Sequence, residues 1–193
     1  MPLRFTLRLA LTLLAAACGR GEAPAPPADS QAPAADAADP VLGRAGECVN
    51  REEGYAVAYP EGWRPVGEEL MGPCRLFHPG PILIPEGGEL PLEVGVALGF
   101  EAVPFATVSG EMMGRTILAR EPASVDGREG VRILAETTGE GLHERGIRYY
   151  EYLVDLGDTT MVATTYDAGT PDFETRRRIL DAMMARFDFR QPG

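Results

Sequence analysis

Three cysteines are the most reactive side chains of the 193-residue chain, at positions 18, 48 and 74. In an exported protein a cysteine can form a disulfide, bind a metal ion or accept a lipid. Neither Cys48 nor Cys74 has a further ligand at the spacing of zinc motifs, so we predict no metal site. Their chemistry then depends on whether the chain leaves the cytoplasm.

Other candidates for catalysis are few. His78 and His143 lack a partner at metal spacing, and Ser109 lies in a predicted helix without the Gly-x-Ser-x-Gly turn of a nucleophile. Neighbouring acids such as Glu52-Glu53 and Glu68-Glu69 are typical of solvated loops. We expect no enzyme, no catalytic residue and no cofactor. A hydrolase that uses paired carboxylates stays open as a third alternative.

The N-terminus has the features of an export signal that ends at Cys18. Two arginines precede the apolar stretch Leu9–Ala17, which is shorter than the about 20 residues that a membrane-spanning helix requires. Three alanines then lead into Cys18. This arrangement resembles the signal of bacterial lipoproteins, in which the cysteine becomes acylated and is the mature N-terminus. Ala15 stands where that signal prefers leucine, and Ala15–Ala17 also fits the cleavage site of a simply secreted protein.

We therefore predict a signal peptide at 1–17 and lipid attachment at Cys18, with a location in the periplasm or at the cell surface. An odd number of cysteines supports this assignment, because lipid on Cys18 leaves Cys48 and Cys74 as a pair in an oxidising compartment. Two free buried thiols are the alternative to that disulfide. Two or more acyl chains hold a protein firmly on a membrane without a transmembrane helix.

Composition divides the mature chain into a tether and one globular domain. Residues 18–46 are rich in alanine and proline with scattered acids, and such a segment buries too little apolar surface to fold. Residues 47–193 have globular patterning. The net charge of −11 repels phosphate backbones, so we expect no nucleic-acid partner.

Alternating apolar residues predict the strands of the domain. The runs are Gly54–Tyr59, Arg75–His78, Leu92–Leu98, a strand before the turn at Asp126-Gly127, Val131–Ala135, Ile147–Leu156, Thr159–Tyr166 and a short terminal strand at Phe187–Phe189. Asp-Gly favours a tight type I′ hairpin, which implies antiparallel neighbours.

Two helices are predicted beside these strands. The first spans Phe105–Ile117, although Gly110 and Gly114 weaken it. The last begins near Thr170 as its cap and carries an apolar stripe of Phe173, Leu180, Met184 and Phe187, with the arginines 176–178 on a solvated face. The sequence thus predicts an α+β domain, an antiparallel sheet of about six strands flanked by two helices.

The segment Gly54–Trp63, GYAVAYPEGW, resembles the opening of PsbP-like domains, and the end of the last helix at Arg186–Phe189 is similar to that family's ending. The resemblance covers residues 47–190. It implies an antiparallel sheet flanked by helices, with Trp63 as a hydrophobic plug at the end of the sheet. It also implies a non-catalytic binding or assembly factor, because most members of this superfamily are such factors and many of them are exported lipoproteins.

One loop is a candidate partner contact. Ile82, Leu83 and Ile84 lie between prolines in Pro79–Pro91, and an exposed apolar loop marks an interaction site, whereas the alternative is that they cover the sheet. We expect a non-enzymatic, lipid-anchored module that contacts an envelope protein through this loop or a sheet edge. The alternative is a small-molecule carrier or sensor with a pocket lined by Tyr150, Tyr152 and Met112.

Overall fold

The computed structural model describes residues 38–85, 91–110, 113–140, 143–168 and 171–190. Within these ranges the chain forms ten strands and three helices. Their bounds are β1 Gly46–Asn50, β2 Tyr55–Tyr59, β3 Arg64–Pro65, α1 Glu68–Met71, β4 Leu76–His78, β5 Val96–Glu101, α2 Phe105–Val108, β6 Arg115–Val125, β7 Arg128–Thr137, β8 Arg148–Asp155, β9 Thr160–Tyr166, α3 Phe173–Met184 and β10 Phe187–Phe189.

The strands form two antiparallel sheets. A seven-stranded sheet has the order β3-β4-β5-β9-β8-β7-β6, and a three-stranded sheet has the order β1-β2-β10. The predicted α+β class, an antiparallel sheet flanked by helices, is confirmed. The sequence predicted a single sheet of about six strands, whereas the structure has two sheets. Alternation along a strand does not tell which strand lies beside it.

The main core lies between α3, the small sheet and one face of the large sheet. Tyr55 and Val57 of β2, Met161 of β9 and Leu180 of α3 are each at most 1% exposed and belong to this core. A second core on the opposite face of the large sheet contains Ile133 and Leu153 and is covered by Phe105 and Val108 of α2. Both faces of the large sheet are therefore buried over part of their area.

The hairpin at Asp126-Gly127 forms as predicted. Both residues have positive φ, 47° and 74°, and they connect Val125 of β6 directly to its partner Arg128 of β7. A type I′ turn requires positive φ at both central residues, which glycine and aspartate tolerate. This turn fixes the register of the two longest strands.

Two predicted elements have different bounds. The helix predicted at Phe105–Ile117 ends at Val108, since Gly114 adopts a left-handed φ of 89° and β6 begins at Arg115. The strand predicted at Leu92–Leu98 begins only at Val96, because a turn precedes it in which the Val94 amide donates to the Pro91 carbonyl. Glycine and proline geometry overrode the apolar pattern at both places.

The last helix is confirmed, with two corrections. Its N-cap is Asp172, whose side chain accepts a hydrogen bond from the Thr175 amide at 3.0 Å, whereas Thr170 lies outside the described residues. Arg176 is not on a solvated face: it is 0% exposed. Among the described residues its guanidinium finds no hydrogen-bond partner, and burial lowers the pKa of that group.

The folded body begins before Glu47. Leu42 is 1% exposed and packs in the main core, and Asp39 caps the turn that carries it by accepting hydrogen bonds from the Val41 and Leu42 amides. The boundary predicted for the tether, 18–46, therefore lies too far along the chain, because one buried leucine orders the residues around it.

Trp63 follows β2 and packs partly buried against the main core. Its ring lies on Gly95, where an added Cβ would stand 2.3 Å from the indole. Only glycine leaves room for this contact. The resemblance implied a hydrophobic plug at the end of the sheet, and Trp63 lies directly before β3, the edge strand of the large sheet.

Candidate functional site

A surface groove lies beside the short edge strand β3. It has a volume of about 390 Å³ and is bounded by β3, α1 and the segment 81–85. We call it the α1 groove; its lining residues are Pro65, Val66, Gly67, Glu68, Glu69, Leu70, Ile82 and Ile84. Volumes of about 300–1,000 Å³ are typical of ligand pockets.

The predicted contact loop forms one wall of this groove. Ile82 and Ile84 turn inward and pack against a small core of Leu76, Val94 and Ala97. Leu83, between them, is 87% exposed. Each of the two alternatives for the loop therefore holds for part of it. The two isoleucines cover the sheet, and the leucine projects into solvent.

The opposite wall depends on Gly67. This residue precedes α1 with a left-handed φ of 67°, and its carbonyl accepts hydrogen bonds from the Leu70 and Met71 amides. An added Cβ would stand 2.1 Å from Ile84 Cδ1. Glycine thus allows both the turn into α1 and the close approach of the two walls.

The groove has an uneven distribution of charge. Glu68 and Glu69 are exposed carboxylates in the first turn of α1, and the eight lining residues include no basic side chain. Leu70, next to them, is 61% exposed although it is apolar. The groove therefore combines apolar walls with an acidic rim.

A disulfide joins Cys48 of β1 to Cys74, which lies just before β4. The pairing inferred from the cysteine count is present, with the two Cα atoms 5.7 Å apart, and Cys74 is 0% exposed. The bond links the three-stranded sheet to the segment between α1 and β4. The position of Cys18 lies outside the described residues.

Hydrogen bonds hold the same segment. Asn50 Nδ2 donates to the Pro73 carbonyl at 3.0 Å, and the Tyr55 hydroxyl donates to the Cys74 carbonyl at 3.1 Å. Burial raises the pKa of Tyr55 to about 12, so the phenol stays protonated and keeps its donor. Arg75 forms an ion pair with Glu53 on the same side. These contacts fix the chain that leads from α1 into the small core beneath the groove.

Titratable groups also meet on the α2 side of the large sheet, which the sequence did not predict. Arg115 of β6 and Glu151 of β8 form an ion pair at 2.7 Å, with side chains 8% and 9% exposed. Arg115 also donates to the Val108 and Gly110 carbonyls and so holds the end of α2. Burial raises the pKa of Glu151 to about 7, against the opposing effect of the arginine. Through these contacts Arg115 connects β6, β8 and the end of α2.

The tyrosines of the predicted pocket are packed in the main core. The hydroxyls of Tyr150 and Tyr152 both donate to Asp181 Oδ1 of α3, each at 2.7 Å. Burial raises the pKa of Tyr152 to about 12 and that of Tyr150 further. Both hydroxyls are thus satisfied by the protein, and Met112 lies outside the described residues.

The remaining candidates for chemistry are separate. His78 Nδ1 accepts from the Gly80 amide at 3.1 Å, and His143 lies edge-on to Tyr166 with ring centroids 5.5 Å apart. Ser109, at the end of α2, is 4% exposed. Across the described part of the chain no three ligating side chains come together as a metal site. None of its helices is long and apolar enough to cross a membrane.

Comparison with known proteins gives a likeness of fold. No protein-family model matches the chain, and no curated protein matches it. Among solved structures it is similar to the solution structure of the cyanobacterial PsbP protein CyanoP from Synechocystis sp. PCC 6803. The match covers 82% of this chain and 99% of that chain, with 12% sequence identity and a TM-score of 0.46.

Proposed function

We propose that this protein is a non-enzymatic binding or assembly module, anchored in the cell envelope through acyl chains on Cys18, that contacts a partner protein at the α1 groove. The observation that carries the proposal is the groove itself, which is lined by Leu70, 61% exposed, and by Ile82 and Ile84. Leu83, 87% exposed, lies between the two isoleucines in the chain and adjoins the groove. Concave places lined by apolar side chains, with further apolar groups exposed beside them, are typical of interaction sites.

The export part of the proposal rests on the leader and on the cysteines. A disulfide between Cys48 and Cys74 is a feature of oxidising compartments, and it leaves Cys18 as the one cysteine for acylation. Mass spectrometry of the mature chain is expected to find a diacylated or triacylated Cys18 as the first residue. A Cys18→Ala variant should move from the membrane to the soluble fraction, and a wild-type chain that starts elsewhere would refute the anchor.

The contact itself is tested with a photo-reactive benzoylphenylalanine placed at position 83. In living cells of the source bacterium, illumination should link the chain to one partner of defined mass. The same probe at Met113, which is also 87% exposed but lies at another place on the surface, is the matched control. Equal crosslinking from both positions, or none from position 83, would refute the groove as the contact.

Capture of the partner by the probe at position 83 should also depend on the apolar surface of the groove. Leu70→Ser removes an exposed side chain at the groove and is expected to keep the fold, because its side chain lies outside the three cores. We expect this substitution to abolish the adduct from position 83. Leu118 is 50% exposed on the edge strand β6, so Leu118→Ser tests the alternative that the partner binds at the sheet edge.

A further inference from the structure

The chemistry of the α1 groove restricts what can occupy it. Within the part of the chain that the structure describes, its only charged lining residues are Glu68 and Glu69, and neither of them forms a salt bridge there. Two adjacent carboxylates at the rim attract a cationic group and repel an anionic one. The field of the whole chain acts in the same direction, because its net charge is −11.

This charge argues against three occupants. A second copy of the chain would bring another pair of carboxylates towards the first if it docked groove to groove. An anionic lipid surface and the carboxylate of a free fatty acid meet the same repulsion. Like charges that face each other across a contact cost binding free energy, most of all where water is excluded.

The apolar walls argue against a purely polar occupant. Leu70 and the inward-facing Ile82 and Ile84 present apolar surface to the groove. Removing this surface from water is favourable when an apolar group of the occupant covers it. A space of about 390 Å³ takes the side chains of a short segment. Protein interfaces concentrate their binding free energy in a few such anchor residues set in pockets.

From these observations we infer that the α1 groove binds a short cationic amphipathic segment of the partner protein. An apolar side chain of that segment lies against Leu70, Ile82 and Ile84, and an adjacent arginine or lysine lies beside Glu68 and Glu69. This inference rests on the function proposed above and adds the chemical class of the partner segment.

The experiment measures binding of three fluorescent peptides of equal length to the full mature chain in a nonionic detergent. The first peptide alternates leucine and arginine, the second leucine and glutamate, and the third serine and arginine. Fluorescence anisotropy, with protein-free micelles as the blank, is expected to show saturable binding of the first peptide only. Binding should weaken as the ionic strength rises, because exposed ion pairs are screened by salt.

Substitutions then locate the binding. Glu68→Gln with Glu69→Gln should weaken binding of the leucine-arginine peptide about fivefold, the loss expected from two exposed ion pairs. Leu70→Ser should weaken it more than about tenfold through the lost apolar contact. The matched control is Glu129→Gln with Asp158→Asn, which removes the same net charge from exposed positions outside the groove.

Equal losses in the groove variant and in the control variant would overturn the inference, since they would show attraction by net charge alone. Binding of the leucine-glutamate peptide as tight as that of the leucine-arginine peptide would overturn it too. The proposed function fails separately: it falls if the probe at position 83 captures no partner. If that probe captures a partner whose binding is indifferent to Glu68 and Glu69, the function stands and the charge assignment falls.

Discussion

Reduction of the Cys48–Cys74 disulfide should lower the stability of the domain by an amount that the sequence separation sets. The two cysteines are 26 residues apart. In the chain-entropy model, opening a loop of this length returns about 11.8 cal/mol/K to the unfolded chain, or about 3.5 kcal/mol at 25 °C. That is a large share of the about 5–15 kcal/mol by which domains are stable.

The folded state should change little on reduction. The hydrogen bonds from Asn50 and Tyr55 to the Pro73 and Cys74 carbonyls remain, and so does the ion pair between Arg75 and Glu53. Reduction thus acts mainly on the unfolded ensemble, which is the condition under which the loop-closure value applies.

The assay is urea unfolding followed by the fluorescence of Trp63, the single tryptophan, with and without dithiothreitol. With a slope of about 2 kcal/mol/M, a loss of 3.5 kcal/mol moves the midpoint down by about 1.8 M. Mass spectrometry of alkylated samples confirms that both thiols are free. A Cys48→Ala/Cys74→Ala variant serves as control, because dithiothreitol should not move its midpoint. If the fully reduced wild type unfolds at the midpoint of the oxidised protein, the reasoning is refuted.

Two further predictions concern buried charges. Glu151 has a folded pKa of about 7, raised from 4.5 by burial, so its stabilising contribution is full below pH 4.5 and is lost as the pH rises to 7. The unfolding free energy of the wild type minus that of Glu151→Gln should therefore fall over this window, and a flat difference in urea titrations would contradict it. Arg176→Met should raise the unfolding free energy by about 1–4 kcal/mol, since it replaces a buried cation without a hydrogen bond. A lower urea midpoint for that variant would show that the guanidinium is needed.

Local chemistry made part of the fold predictable from the sequence. The Asp126-Gly127 turn could be identified because its positive φ angles at both positions suit few other dipeptides. The disulfide could be inferred because, on the prediction that the chain is exported and that Cys18 carries lipid, the three cysteines leave one pair. Both features depend on a few residues and on no long-range packing.

The burial of Arg176 was also within reach of the pattern. It lies three positions after Phe173 and four positions before Leu180, so it is on the same helix face as two residues of the predicted apolar stripe. The run of three arginines suggested a solvated face instead. Periodicity, and not residue type, was the correct guide, because the inward face of a helix is set by its spacing.

The α1 groove was only half visible in the sequence. The prolines around Ile82, Leu83 and Ile84 indicated an apolar loop. They did not indicate that alternate residues of the loop would point to opposite sides. Its opposite wall depends on the left-handed turn at Gly67, and one glycine in sequence does not reveal its φ or its neighbour. Contacts between segments far apart along the chain decide such a surface.

The groove owes its shape to neighbours more than to its own elements. β3 has two residues and α1 has four, and helices this short are not stable alone in water. Ile82 and Ile84 hold one wall on the small core, while the disulfide at Cys74 and its hydrogen bonds hold the chain that leaves α1. A binding surface that is already ordered loses less conformational entropy when its partner arrives, so the same contacts give a higher affinity. The crosslink near the groove therefore stabilises the domain and, by keeping α1 in place, the site that we propose for the partner.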